Sequence, residues 1–435
     1  MTIVITKPGR IQMAEWSNWS GSVEARPTRI ERPRTEAELS ALVAGASRVR
    51  VAGTGHSFMP LCETDGLLIS LADQQGDIEV LPDRKSVWTP AGKTVARFTE
   101  ELWAHGLSMA NQGDINRQAM AGAISTATHG TGRAFGSLST QVAGLRLVLA
   151  DGQVVECDKD HEPELFEAAR VSLGMIGVLS AIRLNVVPAF RLRETNQRRP
   201  IAEVLDQWDS LADQHRHCEF WNFPYTDHVT FKTLDVVEEG DDPDEADRSR
   251  VVFQAVSDLA AASPRMAPTL QRMLVRQQGR SLHSRQAPAW RIFPSDRDIR
   301  FEEMEFEIPA ANGVAALLEA RKLVRDRRYP IIFPFEFRTV AGDDIWLSPM
   351  HAGDCVSISF HQYARMPWQE AFTAVEAVFA AHGGRPHWAK RHTMTADDVL
   401  RLYPMAQRWG AVRKRVDPTA KFMNGHLRDL FAFSL

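Results

Sequence analysis

The sequence predicts an α+β protein in two parts, and three observations carry the prediction. Its 435 residues are enough for two domains, or for one large body with a second sheet. Through Pro188, short strand patterns alternate with helical ones around loops rich in glycine. From Phe190 the composition changes, and the strand patterns at 331–338 and 356–361 read as partners of one another.

The first part is organised around residues 48–60, RVRVAGTGHSFMP. Val49 and Val51 alternate with arginines, as in a short strand with one buried face. The strand leads into Gly53-Thr54-Gly55, where missing side chains let backbone N–H groups crowd around an anionic group. His56 and Ser57 follow on a sharp turn, and Pro60 keeps a helix from starting inside the loop. Glycine pairs after a strand are common. A histidine directly behind one is more specific, because it sets a nucleophilic imidazole beside a phosphate cradle.

The remaining elements follow in order. Residues 25–30 read as an opening strand, and Thr35 with Glu38 has capping-box spacing for a helix through Ala46. Residues 66–71 form a strand, 77–80 and 86–92 a hairpin, and 94–102 a helix by the spacing of Val95, Phe98 and Leu102. Residues 111–132 are dense in Gly, Ala, Ser and Thr: the middle suits a helix packed tightly under a sheet. Residues 126–132 are too polar and glycine-rich for a plain core, and suit a flat ligand approached by backbone. A hairpin with an Asp151-Gly152 turn, a helix at 164–169 and a strand at 181–187 complete this part. Beyond it, 235–250 is acidic and reads as a solvated, mobile loop. Residues 301–308 alternate apolar residues with glutamates as in a half-buried strand, and 313–324 is an amphipathic helix.

Composition excludes several functions. With 51 basic and 55 acidic residues the formal net charge is −4, which gives no support to a nucleic-acid surface. Cys62, Cys157, Cys218 and Cys355 are far apart, without CxxC pairs, so no disulfide or metal role is expected. No run of ~18 apolar residues suggests a membrane span, and the start lacks the apolar core of a secretory signal. A cytoplasmic protein is the expectation.

Two further constellations bear on chemistry. On a strand, Glu336 and Arg338 point to one face between phenylalanines on the other. They form either a surface ion pair or a charged fork lining a polar pocket. The stretch at 384–392, GRPHWAKRH, would alone be a solvated basic turn.

Together, GTGHSF, NQGD, ATHGTG, SLGMIGV, the Glu336/Arg338 pair, RPHWAK and the late Asp417-Pro418 and Phe422-Met423-Asn424 occur in an order that resembles one group over nearly the whole chain. This is the aldonolactone oxidoreductases of the vanillyl-alcohol oxidase flavoprotein family. The resemblance implies an FAD-binding domain of two subdomains (PCMH-type) at 1–188, a cap with a large antiparallel sheet at 189–400, and a C-terminal segment, 401–435, that returns to the FAD domain. It implies FAD attached covalently through His56. It places Ala52, Gly53, Thr54, Gly55, Ser57 and Phe58 at the cofactor, with Gln112, Gly113, Asp114, Ala119 and Gly122, then Ala127, Thr128, His129 and Gly130, then Ile176, Gly177 and Val178.

The same resemblance implies hydride transfer from a sugar-derived secondary alcohol to flavin N5. The expected substrate is an aldono-1,4-lactone oxidised at C2, the alternative an alditol or another sugar alcohol. Lys390 would face the flavin N1 and C2 carbonyl, Arg338 would polarise the substrate hydroxyl, and Glu336 would hold Arg338 and bind sugar hydroxyls. His361 joins the catalytic set with its role open. Alditol oxidases carry His-x-Thr on the strand matching Ser359-Phe360-His361, and serine here weakens that alternative. In the group, glycine at the position of Gly113 accompanies the oxidases and alanine the plant dehydrogenases, so O2 is the expected acceptor over another redox partner.

Overall fold

The computed structural model describes residues 14–74, 76–240, 249–277, 283–295 and 298–435. Strands Arg29–Glu31, Leu67–Ile69 and Val49–Val51 form a parallel sheet in that order. Val49 is buried as expected, but the arginine beside it is not on a wet face. Arg50 donates to the carbonyls of Leu61, Leu173 and Phe422. A guanidinium that finds three carbonyls can be buried, and here it ties the glycine loop to the C-terminal segment.

Thr35 and Thr94 cap helices Glu36–Gly45 and Val95–Ala104 by accepting from the N–H of Glu38 and Arg97. The Glu38 carboxylate reaches back one residue farther than a capping box requires, accepting from the N–H of Arg34 at 2.8 Å. A second, antiparallel sheet runs Val154–Cys157, Val142–Val148, Val178–Asn185, Ser86–Pro90, Glu79–Val80. Beneath it, the small-residue helix Met120–Ser125 buries Met120, Ala123 and Ile124. Val399, Tyr403, Trp409, Phe422 and Phe431 share this core, so the chain's end packs with its beginning.

The second part is an eight-stranded antiparallel sheet in the order His283–Pro288, Arg191–Pro200, His228–Val237, His217–Asn222, Phe335–Val340, Cys355–Tyr363, Phe301–Pro309, Arg385–Pro386. One face carries Phe220, Phe337, Phe335, Phe360 and Phe306 against the helices Gly313–Asp326 and Gln369–Ala381. Each such phenylalanine contributes about 1.5–3 kcal/mol by leaving water.

The opposite face is charged. Strand register sets Lys232 beside Glu219, Glu219 beside Arg338, Arg338 beside Ser357 and Ser357 beside Glu307. The next row runs Trp221, Glu336, Ser359, Glu305. The expectation that residues 301–308 form a half-buried strand is therefore corrected. All eight are buried, because their glutamates face cations instead of water.

Two boundaries also differ from expectation. The strand expected from 331 begins at Phe335, after Pro334, which has no N–H to give to a ladder. The acidic tract begins inside strand His228–Val237 and ends in helix Ser249–Ala262, while residues 241–248 lie outside the described ones. All four cysteines are free thiols. Among the described residues no helix is long and apolar enough to cross a membrane.

Candidate active site

Two cavities adjoin at Gln118. The larger, about 520 Å³, is lined by the first part and by Ala389 of the second. Its walls include the loop from Ala52 to Ser57, then Gln118, Ala119, Gly122, Ser125 and Thr126, then Leu173, Gly174, Gly177 and Val178. The glycines have separate reasons to be there. Gly55 takes a left-handed φ of +77°, which a side chain would strain. A Cβ on Gly53 would stand 3.0 Å from that of Ala119, so glycine lets the loop lie against the start of helix Met120–Ser125. A Cβ on Gly122 would meet nothing within 4 Å. Gln118 Oε1, buried at the wall, has no hydrogen-bond partner. An elongated cradle of backbone and small side chains with an orphaned acceptor fits a dinucleotide, and so fits FAD.

The smaller cavity, about 50 Å³, lies against the charged face of the large sheet and shares Gln118 with the first. Gly113, Asp114, Thr128 and His129 of the first part face Glu303, Glu305, Glu336, Arg338, His387 and Lys390 of the second. Arg338 donates to Glu305 at 2.6 Å and to Ser359 Oγ at 3.2 Å, and its Nε has no partner. Lys390 pairs closely with Glu303 and lies 3.4 Å from Glu305. Burial opposes ionisation of both glutamates, but their cations prevail. Lys390 and His361 hold Glu303 well below the usual carboxylate range, and Arg338, Lys390 and His129 do the same for Glu305.

Three histidines line the two cavities, one charged and two neutral. Nδ1 of His129 donates to the carbonyl of Gly130 at 2.8 Å, and its Nε2 lies 2.9 Å from Glu305 and 3.0 Å from Glu307. Both nitrogens face acceptors, which requires the imidazolium. Burial works against that charge, yet Glu307 and Glu305 push the group up to about 10. His387 is neutral, lowered to about 3 chiefly by burial. Its Nδ1 accepts from the N–H of Ala389, which leaves its hydrogen on Nε2. His56, in the larger cavity, is lowered to about 4 by burial, then by Lys390 and Arg117.

The structure divides the expected residues. Ala52, Gly53, Thr54, Gly55, His56, Ser57, Ala119, Gly122, Gly177 and Val178 line the larger cavity. Gly113, Asp114, Thr128, His129, Glu336, Arg338 and Lys390 line the smaller. Phe58, Gln112, Ala127, Gly130 and Ile176 line neither. Phe58 lies under Lys390, whose Nζ is 5.5 Å above the ring. His361 also stands outside the cavity wall, behind Glu303 at 3.1 Å. Glu336 forms an ion pair with Arg338 at 3.8 Å, and Glu305, which the sequence reading did not name, is the closer partner at 2.6 Å. Glu303, Glu305 and His387 went unrecognised in the sequence. The available signal was three glutamates two apart on one strand face, too dense a charge to stand without cations.

Residues 27–158 match an FAD binding domain, and residues 182–430, more than half the chain, match the D-arabinono-1,4-lactone oxidase family. An L-gulono-1,4-lactone dehydrogenase of Mycobacterium tuberculosis is 38% identical over 95% of this chain and 98% of its own. An L-gulonolactone oxidase of Mus musculus is 30% identical over 96% and 98%. In fold, cholesterol oxidase from B. sterolicum superposes with a TM-score of 0.82 over 99% of this chain and 100% of that one, at 16% identity. The α+β architecture is thus an FAD-binding domain of PCMH type with a large antiparallel sheet. The chain belongs to the D-arabinono-1,4-lactone oxidase family of FAD-dependent oxidoreductases.

Proposed function

We propose that this protein oxidises an aldono-1,4-lactone of the L-gulono or D-arabinono type at its C2 hydroxyl, with FAD carried covalently on His56 and O2 as final acceptor. One observation carries the reading. Buried Arg338 and partly buried Lys390, whose side chain is 14% exposed, meet neutral His387 in a small polar cavity that shares a wall with a dinucleotide cradle.

The walls named above would hold FAD, which supplies the acceptor for the hydride of a secondary alcohol. His56, kept neutral by burial, offers a ring nitrogen for attachment. Arg338 presents its unpartnered Nε to a substrate hydroxyl, and His387 presents Nε2–H. Lys390 supplies fixed positive charge. Glu336 accepts from the sugar's other hydroxyls. Glu303 and Glu305, held ionised by cations, are weak bases. The hydroxyl proton leaves toward the carboxylates of Asp114 and Glu336, which line the cavity, and Glu219 stands behind them, raised chiefly by burial against the pull of Lys232 at 3.0 Å. Its carboxylate lies within 4.8 Å of those of the cavity residues Asp114 and Glu336.

The test is anaerobic bleaching of the flavin by a series of aldonolactones and alditols. Fast bleaching by lactones alone supports the reading. Bleaching by open-chain alditols alone overturns the lactone assignment.

A further inference from the structure

Arg338 and Lys390 have a common partner that the proposed mechanism leaves idle. Oε1 of Glu305 receives Nη2 of Arg338 at 2.6 Å and the hydroxyl of Ser357 at 2.8 Å, and lies 2.9 Å from Nε2 of His129. Its other oxygen lies 3.4 Å from Nζ of Lys390. The side chain is only 3% exposed, so water does not compete for these bonds. Three of the partners come from separate segments of the second part, and the fourth, His129, comes from the first.

We propose that Glu305 is the positioning residue of the active site, setting both Arg338 and Lys390 against the substrate while His129 locks it in place. The inference rests on the roles given to Arg338 and Lys390 above.

Two like charges facing one small cavity repel strongly in a medium of low dielectric. A carboxylate shared between them cancels that repulsion and gives each a fixed direction. Without it, Arg338 retains Glu336, at 3.8 Å, and Lys390 retains Glu303, which draws the two cations toward different carboxylates. Geometry also excludes an amide as substitute. All of the partners at Glu305 are donors, so a glutamine would turn its NH2 group toward Lys390 or toward the three donors at Oε1. His129 has a matching part. The charged groups facing it are Glu305 and Glu307, with neutral His387 at 6.0 Å between ring centres. Loss of either glutamate removes one of the two carboxylates that hold the imidazolium, and its titration then moves down toward the neutral range.

The experiment uses the holoenzyme of Glu305→Gln beside Arg338→Ala and Lys390→Ala. Flavin reduction by L-gulono-1,4-lactone is followed under anaerobic conditions from pH 6 to 10, flavin content by absorbance, and His129 by NMR of labelled histidine. Expected for Glu305→Gln are normal flavin content, reduction slowed about 100-fold, a His129 titration moved below about 10, and a new limb in the pH profile. Reduced thermal stability with a wild-type rate and pH profile would mean a purely structural carboxylate and overturns the proposal. If Arg338→Ala and Lys390→Ala both reduce at the wild-type rate, the site assignment itself fails. If they are slow and Glu305→Gln is not, only the role of Glu305 fails. Should Glu305→Gln not accumulate as folded protein, Ser357→Ala decides. It removes the 2.8 Å hydrogen bond to Glu305 and a longer one, 3.4 Å, to Glu307, and keeps the charge, so a loss of about fivefold in reduction supports the proposal. A wild-type rate overturns it.

Discussion

Replacing Arg338 by alanine removes a guanidinium whose side chain is 7% exposed and whose Nη2 is bonded to Glu305 at 2.6 Å and to Ser359 at 3.2 Å. Two losses follow, and they separate by assay. The first is kinetic: a preorganised charged donor at a site of developing charge is worth about 10²–10³ in rate, or about 3–4 kcal/mol. The second is structural, because the deletion leaves Glu305 buried with its closest cation gone. Breaking a buried pair in this way costs about 3–5 kcal/mol, moderated here by His129 and Lys390, which remain beside the carboxylate. Anaerobic stopped-flow reduction measures the first loss and thermal unfolding of the holoenzyme the second. Arg338→Lys keeps the charge without the fork, so it should recover most of the stability and little of the rate. FAD content should stay at the wild-type level in both, since Arg338 lines the smaller cavity and not the cradle. Reduction of Arg338→Ala at near the wild-type rate would refute the reasoning and make the residue a structural ion-pair partner.

Three other outcomes follow from the same geometry. Acid-precipitated wild-type protein should stay yellow and His56→Ala should release its flavin; colourless wild-type precipitate refutes covalent attachment. A Cβ on Gly113 would stand 3.0 Å from the carbonyl of His129 and 3.3 Å from Thr128 Cγ2. Gly113→Ala therefore crowds this wall of the smaller cavity and should slow reoxidation by O2 more than reduction by substrate. Slow reoxidation of the wild type by air, with fast transfer to a dye, would instead mark a dehydrogenase. Finally, His56 and His217 are lowered to about 4, and His387 and His392 to about 3, each chiefly by burial. Between pH 6.5 and 4 the unfolded chain binds more protons at these positions than the folded one, so stability falls as pH drops through that window. His129 runs the other way, and its contribution is lost as pH rises through about 10. A melting temperature that stays flat from pH 6.5 to 4 would contradict the buried, neutral state of the four histidines.

Much of the cofactor half was legible because it rests on local rules. Thr35 and Thr94 mark helix starts by their own hydrogen bonds, and Gly53-Thr54-Gly55 marks a close backbone approach. The Asp151-Gly152 turn joins two strands in register, with Gly152 at a φ of +89°. Period-two alternation also placed Glu336 and Arg338 on one face, opposite Phe335 and Phe337, which pack in the core. The same alternation misled at Phe301–Pro309. A strand with glutamates on one side looks wet, and periodicity carries no information about what will cover it.

Local sequence marked the helix starts at Thr35 and Thr94, the backbone positions that need glycine, and the motifs that belong to a flavoprotein. Those features depend on neighbours a few residues apart. Only the tertiary structure decided the state of the charges. His129 meets Glu307 across 178 residues of chain, Arg338 meets Glu305 across 33, and Arg50 meets Phe422 across 372. Whether a glutamate is solvated or is the shared anion of three cations depends on what folding brings against it, because burial without a partner costs several kcal/mol and well-placed cations and donors offset that cost.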